Sequence, residues 1–454
     1  MKLKYYLQIF LVSLVIFSCG NDDGPGYQEP YDPTDDDPVV IDPLPEIELL
    51  DLVQERTFKY FWDYAESNSG AARERYHLND PSNDQNTVTS GGSGFGLMAI
   101  LVGIERGYIS RAEGVERLAQ ILNFFETADR FHGAWSHWIN GTNGNVLPFS
   151  SMDDGGDIVE TAFLVQGLIC VKEYFKNGSE EEINLANQAD ALWKGVEWDW
   201  YTQEQNALYW HWSPNHNFAI NLELVGYNET LIAFILGAAS PDHPISAEVY
   251  HQGWANNGAI VSSETDYGIP LVLDHVGSGT GPLFWAHYSY LGLDPRNLSD
   301  QYANYWTLNT NHTLINYEHC VDNPGNYADY GPDCWGLTAS YSRNTDGSVG
   351  YNAHDPENDT GVISPTAAVS SIPYTPEESL AAMQYFYAND LLGPAGFYDA
   401  FSPQFNNWVT ERYLAIDQGP QIIMIENYRT GLLWELFMQN EDVQNGLNIL
   451  GFSY

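Results

Sequence analysis

Along this chain, helical segments that are apolar on one face alternate with helical segments that are apolar nearly all round. Residues 111–126 place Val115, Leu118, Ala119, Leu122 and Phe125 on one face, with Arg111, Glu113, Glu116, Arg117 and Gln120 opposite. Residues 47–64 and 180–196 follow the same pattern, which is that of a helix lying on a surface. Residues 94–104 (Phe95, Leu97, Met98, Ile100, Leu101, Val102), 158–171 and 231–239 have no polar face at all, and 282–291, 377–388 and 421–437 are expected to continue this second kind. A helix without a polar face must be buried. Outer, inner, outer, inner is the order that a double ring of helices produces, so the expected fold is all-α, an (α/α)6 toroid. Stacked bundles would alternate less regularly. A ring-shaped core also explains how one domain can extend over residues 47–454, long for a single compact core. Strand signals are few; Leu208 to Trp212 is one candidate hairpin arm.

The first 46 residues have another character. Lys2 and Lys4 precede an apolar run from Tyr6 to Ser18, too short to span a bilayer, so residues 1–18 are expected to be a signal peptide. The run ends Ile16-Phe17-Ser18-Cys19-Gly20, which resembles a bacterial lipobox, with Cys19 as the lipid anchor. Residues 20–46 hold nine acids, six prolines and no Lys or Arg, the composition of an extended tether. Residues 19–46 would then link a lipid to the folded domain. That places the protein at the bacterial envelope on the outer membrane, facing the periplasm or the cell surface, with membrane contact only through the anchor.

Charge narrows the partners. With 61 Asp and Glu against 17 Lys and Arg, the net charge of -44 repels phosphate, so nucleic acid is excluded as a partner. Anionic membrane surfaces are disfavoured for the same reason. An uncharged glycan is not repelled, and 14 Trp, 30 Tyr and 20 Phe supply rings on which sugars can stack. A monomer is expected. No CxxC or HExxH spacing suggests zinc. Cys170 is expected in the core. Cys320 and Cys334 flank a Pro/Gly/Asn loop and are either paired, in an oxidising compartment, or two separate thiols.

The unusual residues precede the inner segments. Thr89-Ser90-Gly91-Gly92, Asp153-Asp154-Gly155-Gly156-Asp157, Gly226-Tyr227-Asn228-Glu229, Gly279-Thr280-Gly281-Pro282, Pro373-Tyr374-Thr375-Pro376 and Asp417-Gln418-Gly419-Pro420 each stand at a helix start. Each alone is an ordinary cap. In a toroid the inner helices run parallel, so all six would converge on one rim, with carboxylates among them.

Several of these stretches resemble the glycoamylase-like domain of glycoside hydrolase family 144, the bacterial endo-β-1,2-glucanases. The resemblance is carried by Ser93-Gly94-Phe95-Gly96-Leu97, Glu105-Arg106-Gly107, Gly226-Tyr227-Asn228-Glu229, Tyr267-Gly268-Ile269-Pro270, His287-Tyr288-Ser289, Trp335-Gly336-Leu337-Thr338, Pro373-Tyr374-Thr375-Pro376, Gly396-Phe397-Tyr398-Asp399 and Ile416-Asp417-Gln418-Gly419-Pro420. It extends over nearly everything after residue 50. It implies an (α/α)6 barrel, inverting hydrolysis of a neutral β-1,2-glucan, and no metal or cofactor. Release of disaccharide from a chain end, or glycan binding without catalysis, are the alternatives.

An inverting glycosidase needs one protonated acid and one ionised base behind a water. Asp157 and Glu160 share one face at a helix start, where the dipole favours their ionised forms. With Asp153 they suit base, water-holding or sugar-hydroxyl roles; a helix cap or a calcium loop is the other reading of this acidic run. Glu229 has apolar neighbours in sequence, which raise a carboxyl pKa, and is the expected general acid. Asp417 is the second candidate for the base. Glu426 is expected to pair with Arg429. Trp138, Trp212, Trp335, Tyr374 and Phe401 are expected to contact sugar, with Tyr227 and His287 from the matching stretches. His132, His137, His211 and His216 are expected to donate to hydroxyls or to neighbouring loops.

Overall fold

The computed structural model describes residues 42–275, 277 and 279–454. The proposed signal peptide, Cys19 and the tether as far as residue 41 lie outside the described residues. Twelve α-helices follow in order among those described: α1 (Glu46–Trp62), α2 (Ser90–Glu105), α3 (Arg111–Thr127), α4 (Ile158–Phe175), α5 (Glu180–Lys194), α6 (Leu231–Ala239), α7 (Tyr305–Asp322), α8 (Pro365–Ser370), α9 (Pro376–Ala388), α10 (Ala415–Arg429), α11 (Leu432–Met438) and α12 (Glu441–Leu450).

The two kinds of helix are separated as their patterns require. In α2 every residue from Ser90 to Gly103 is buried, and in α6 every residue is. The outer helices α3 and α5 bury one stripe and open with capping boxes, Ser110 with Glu113 and Ser179 with Glu182. In the inner ring α2 lies between α4 and α10, α4 touches α6, and α6 touches the 3-10 turn Tyr288–Tyr290. On the other side α10 meets α8. His287 Nε2 stands 3.0 Å from Ser371 Oγ and joins the 3-10 segment to the end of α8, which closes the six-membered ring. The outer members are α1, α3, α5, the π-helical turn Val249–Trp254, α7 and α9. At α2 and α4 the backbones themselves touch: a Cβ at Gly94 would sit 2.2 Å from the Phe163 carbonyl oxygen, and one at Gly167 2.3 Å from that of Gly94. The Gly-rich start of α2 therefore serves helix packing.

Several expectations need correction. Residues 282–291 form two 3-10 turns, Leu283–Ala286 and Tyr288–Tyr290, because their polar side chains bond sideways to neighbouring helices. Ser289 Oγ accepts from the Ile232 N–H and donates to the Glu229 carbonyl. Residues 377–388 are outer, burying only Ser379, Ala382, Met383 and Phe386 of α9. The inner element is the short α8 before it. Residues 421–437 are two helices separated at Gly431, whose φ is 77°. Outer helix α7 escapes the apolar pattern because its buried face includes Asn309, His312, Thr313, Asn316 and His319.

Glu426 does not pair with Arg429. It takes a bidentate contact from Arg106, Nε to Oε2 at 2.7 Å and Nη2 to Oε1 at 2.8 Å, while Arg429 reaches Asp51 and Gln54. Cys170, Cys320 and Cys334 are all free and buried, so no disulfide closes the 320–334 loop. None of the described helices is long and apolar enough to cross a membrane.

Candidate active site

Short strands feed three inner helices directly. Thr87–Thr89 runs into α2, Gly156–Asp157 into α4 and Arg412–Leu414 into α10, paired respectively with Trp138–Asn140, His211–Trp212 and Arg75–His77. These ladders fix the rim at the N-terminal ends of the inner helices.

At α4, Asp157 is the N-cap: Oδ1 accepts the Val159 and Glu160 N–H groups, each at 2.9 Å. Its Oδ2 accepts from Trp210 Nε1 at 2.8 Å and His137 Nδ1 at 3.0 Å. Four donors leave Asp157 no lone pair for a catalytic water, so the cap reading describes this residue. Glu160 Oε2 accepts from Thr89 Oγ1 and the Gly91 N–H, and Oε1 stands 3.9 Å from His137 Nε2. Burial pushes the Glu160 carboxyl up, His137 opposes this and Asp157 adds to it. His137 is disfavoured as a cation by burial, but Glu160, Asp157 and Asp153 outweigh that and raise it to about 10. Asp153 is buried, 3.0 Å from His211 Nε2.

Glu229 lies just before α6. The Asn228 side chain accepts from the Thr230 N–H and hydroxyl, fixing the turn that aims Glu229 inward. Burial pushes its carboxyl up to about 7, against its own backbone N–H, and the charges of Asp157 and Glu160 add to the rise.

Asp417, in the first turn of α10, is buried, and its carboxyl is raised by burial and by the nearby Asp399 carboxyl. The Tyr288 hydroxyl, buried without a hydrogen-bond partner, lies near both sides: burial first, then Asp417, Tyr351, Glu160 and Glu229, oppose its ionisation. The carboxyls expected at the rim are thus gathered around one mouth. Asp399 and Tyr288 were not singled out from sequence, although both fall in stretches that carry the family resemblance.

The aromatic expectations divide. Trp138 is half-buried at the rim, edge-on to Phe149, with the Arg75 guanidinium over its ring. Trp212 is half-buried beside His132. The other five are buried. Tyr227 bonds His312, and Trp335 donates to the Glu378 carbonyl. Phe401 packs on Phe386, Tyr374 donates to the Ala286 carbonyl, and His287 meets Ser371. The four apolar rings are drawn inward because an aromatic next to a loop is still cheapest out of water, whereas the His287 imidazole is held by its contact with Ser371. Trp210 holds Asp157 through its indole N–H. His132 bonds Glu197, and His211 meets Asp153.

His137, Asp153 and Asp157 bring potential metal-ligand atoms within 4.8 Å of one another. The set does not suit a cation. Both Asp157 oxygens are already taken by N–H donors, His137 among them.

A closed double ring of helices, with carboxyls of divergent proton affinity at the N-terminal mouth, is the framework of an α/α-toroid carbohydrate enzyme. A family described as "Putative glucoamylase" matches residues 221–441. The endo-β-1,2-glucanase of Chitinophaga pinensis, solved with sophorotriose and glucose, is 57% identical with a TM-score of 0.87, over 90% of this chain and 99% of that one. A Bacteroides caccae structure described as a putative glucoamylase is 56% identical with a TM-score of 0.87, over 90% of this chain and 100% of that one. The exo β-1,2-glucooligosaccharide sophorohydrolase (non-reducing end) of Parabacteroides distasonis is 45% identical over 430 residues, 89% of this chain. This chain spans 58% of that protein's length. The chain belongs to the glycoamylase-like family of glycoside hydrolases, family 144.

Proposed function

We propose that this protein hydrolyses β-1,2-glucan to short gluco-oligosaccharides with inversion at the anomeric carbon. The observation that carries the reading is Glu229: a carboxyl pushed up to about 7, in the same mouth as Asp417 and Glu160. A general acid must hold its proton at working pH, and burial with the Asp157 and Glu160 charges favours the protonated form of Glu229. It gives that proton to the leaving glycosidic oxygen. Asp417 takes a proton from the attacking water. Glu160, with its open Oε1, and the His137 cation are placed to bind sugar hydroxyls, and Trp138 and Trp212 offer ring faces at the rim. The names of the relatives support the β-1,2 linkage. The exo-acting name of the Parabacteroides relative keeps release of disaccharide as the second reading. Cys19 holds the enzyme to the outer membrane through a lipid, behind the acidic tether, and the enzyme acts as a monomer.

Purified protein incubated with linear β-1,2-glucan, soluble starch, cellulose and laminarin tests this. Cleavage of β-1,2-glucan alone, with the α-anomer appearing first by NMR, is expected. Hydrolysis of starch without β-1,2-glucan would overturn the substrate, and retention of the β-anomer would overturn the mechanism. Replacement of Cys19 by Ala should move the protein from the membrane to the soluble fraction.

A further inference from the structure

Asp399 precedes the strand Ala400–Ser402, and Asp417 lies in the first turn of α10. Both are almost fully buried, with exposures of 2% and 1%. Their carboxyls lie close enough that each shifts the proton affinity of the other. Asp399 Oδ2 accepts the Tyr341 N–H at 2.6 Å, but Asp399 Oδ1 and both Asp417 oxygens meet no N–H or O–H donor. Two ionised carboxylates have nothing to donate to one another, whereas a proton between them would give these orphaned oxygens a donor. Two buried adjacent carboxylates would also repel strongly.

We propose that Asp399 and Asp417 act as one base, a carboxyl–carboxylate pair that shares a single proton in the resting enzyme. Asp399 is the positioning residue that receives this proton during the reaction. The inference rests on the reading of Asp417 as the base. The water O–H bond breaks as its proton passes to Asp417, and the shared proton moves to Asp399. The water oxygen forms the new bond to the anomeric carbon while the glycosidic C–O bond breaks, and the leaving oxygen takes the Glu229 proton. The pair ends neutral and Glu229 ends ionised; the pair then gives one proton to the solvent and Glu229 takes one up from it.

The surroundings support this division. The groups facing the pair are Glu74 and Arg412 from the strands Arg75–His77 and Arg412–Leu414 or their edges, Tyr341 and Tyr351 from the antiparallel pair Ala339–Arg343 and Val349–Ala353, and Tyr288 from the inner ring. The Tyr341 N–H and the Arg412 charge favour negative charge on Asp399, leaving the resting proton on Asp417. Burial nevertheless holds Asp399 at about 6, close enough for it to accept the proton in its turn.

Two measurements test the proposal. Infrared spectra of protein carrying 13C-labelled aspartate side chains should show a protonated-carboxyl band at neutral pH in the wild type and in Glu229→Gln. The band should be lost in both Asp399→Asn and Asp417→Asn. This readout does not depend on any substrate; its absence from the wild type overturns the shared proton whatever glucan the enzyme cleaves. In turnover, Asp399→Asn should lower kcat by ~10²-fold or more with KM little changed. Its acid limb should move to lower pH, because an amide N–H replaces a neighbouring acid. The double variant should be no slower than Asp417→Asn alone. Near wild-type kcat in Asp399→Asn, or a loss that adds to that of Asp417→Asn with the acid limb unmoved, overturns the coupled base.

Discussion

His137 donates through Nδ1 to Asp157 Oδ2 at 3.0 Å, and this contact turns its other ring nitrogen toward Glu160. One imidazolium thus lies between the cap of α4 and a carboxylate of the mouth, with Phe149 stacked on its face. It offsets charge that the helix N-terminus alone could not neutralise.

His137→Phe should therefore weaken the fold near neutral pH. Asp157 would lose one of its four donors and Glu160 its nearby cation, a cost of about 2–4 kcal/mol. The folded pKa of His137 lies above the ordinary 6.5, at about 10. Its contribution is complete below 6.5 and disappears as pH rises through about 10. Urea unfolding of both proteins across this range should give a difference that closes on the alkaline side. A constant difference would assign the loss to packing.

Glu229→Gln should keep the fold and lower kcat by ~10²–10⁴-fold, since the amide preserves shape but carries no transferable proton. In the wild type, kcat/KM should fall as pH rises through about 7, where the acid loses its proton. Because the folded pKa is raised, ionisation opposes folding at higher pH. The Tm of Glu229→Gln should exceed that of the wild type in mild alkali and match it in acid. Circular dichroism melts at both pH values check this.

Glu426→Gln should destabilise without slowing the chemistry. Glu426 is buried and receives both Arg106 and the Gln54 amide. The amide cannot satisfy the guanidinium fork, and the loss should be about 2–4 kcal/mol by chemical denaturation. An unchanged midpoint would deny the pair a structural role.

Alkylation of the native, non-reduced protein should leave Cys170, Cys320 and Cys334 unmodified. Burial raises Cys334 to about 12 and raises the other two as well. After unfolding without reductant, all three should be labelled by mass spectrometry. Recovery of Cys320 and Cys334 as a linked peptide would contradict the free thiols.

The ring was legible in the sequence because α2, α4 and α6 have no face to show to water, so their burial and their place inside α3 and α5 follow from composition alone. The rim carboxyls were legible because Asp157, Glu229 and Asp417 stand at helix starts, and parallel inner helices bring their starts together. Arrangement beyond that belongs to the tertiary structure. Trp335, Phe401, Tyr374, Tyr227 and His287 could not be told from groove residues, since the same ring chemistry serves a core and a sugar. Asp157 carries the residue type of a catalytic base, yet the Trp210 and His137 side chains that occupy it arrive from loops distant in sequence. Asp399 and Asp417 became a pair only when a rim strand met the first turn of α10. Proton affinity depends on which donors and charges lie within a few ångströms, and for these buried carboxyls the chain decides that only when the ring closes.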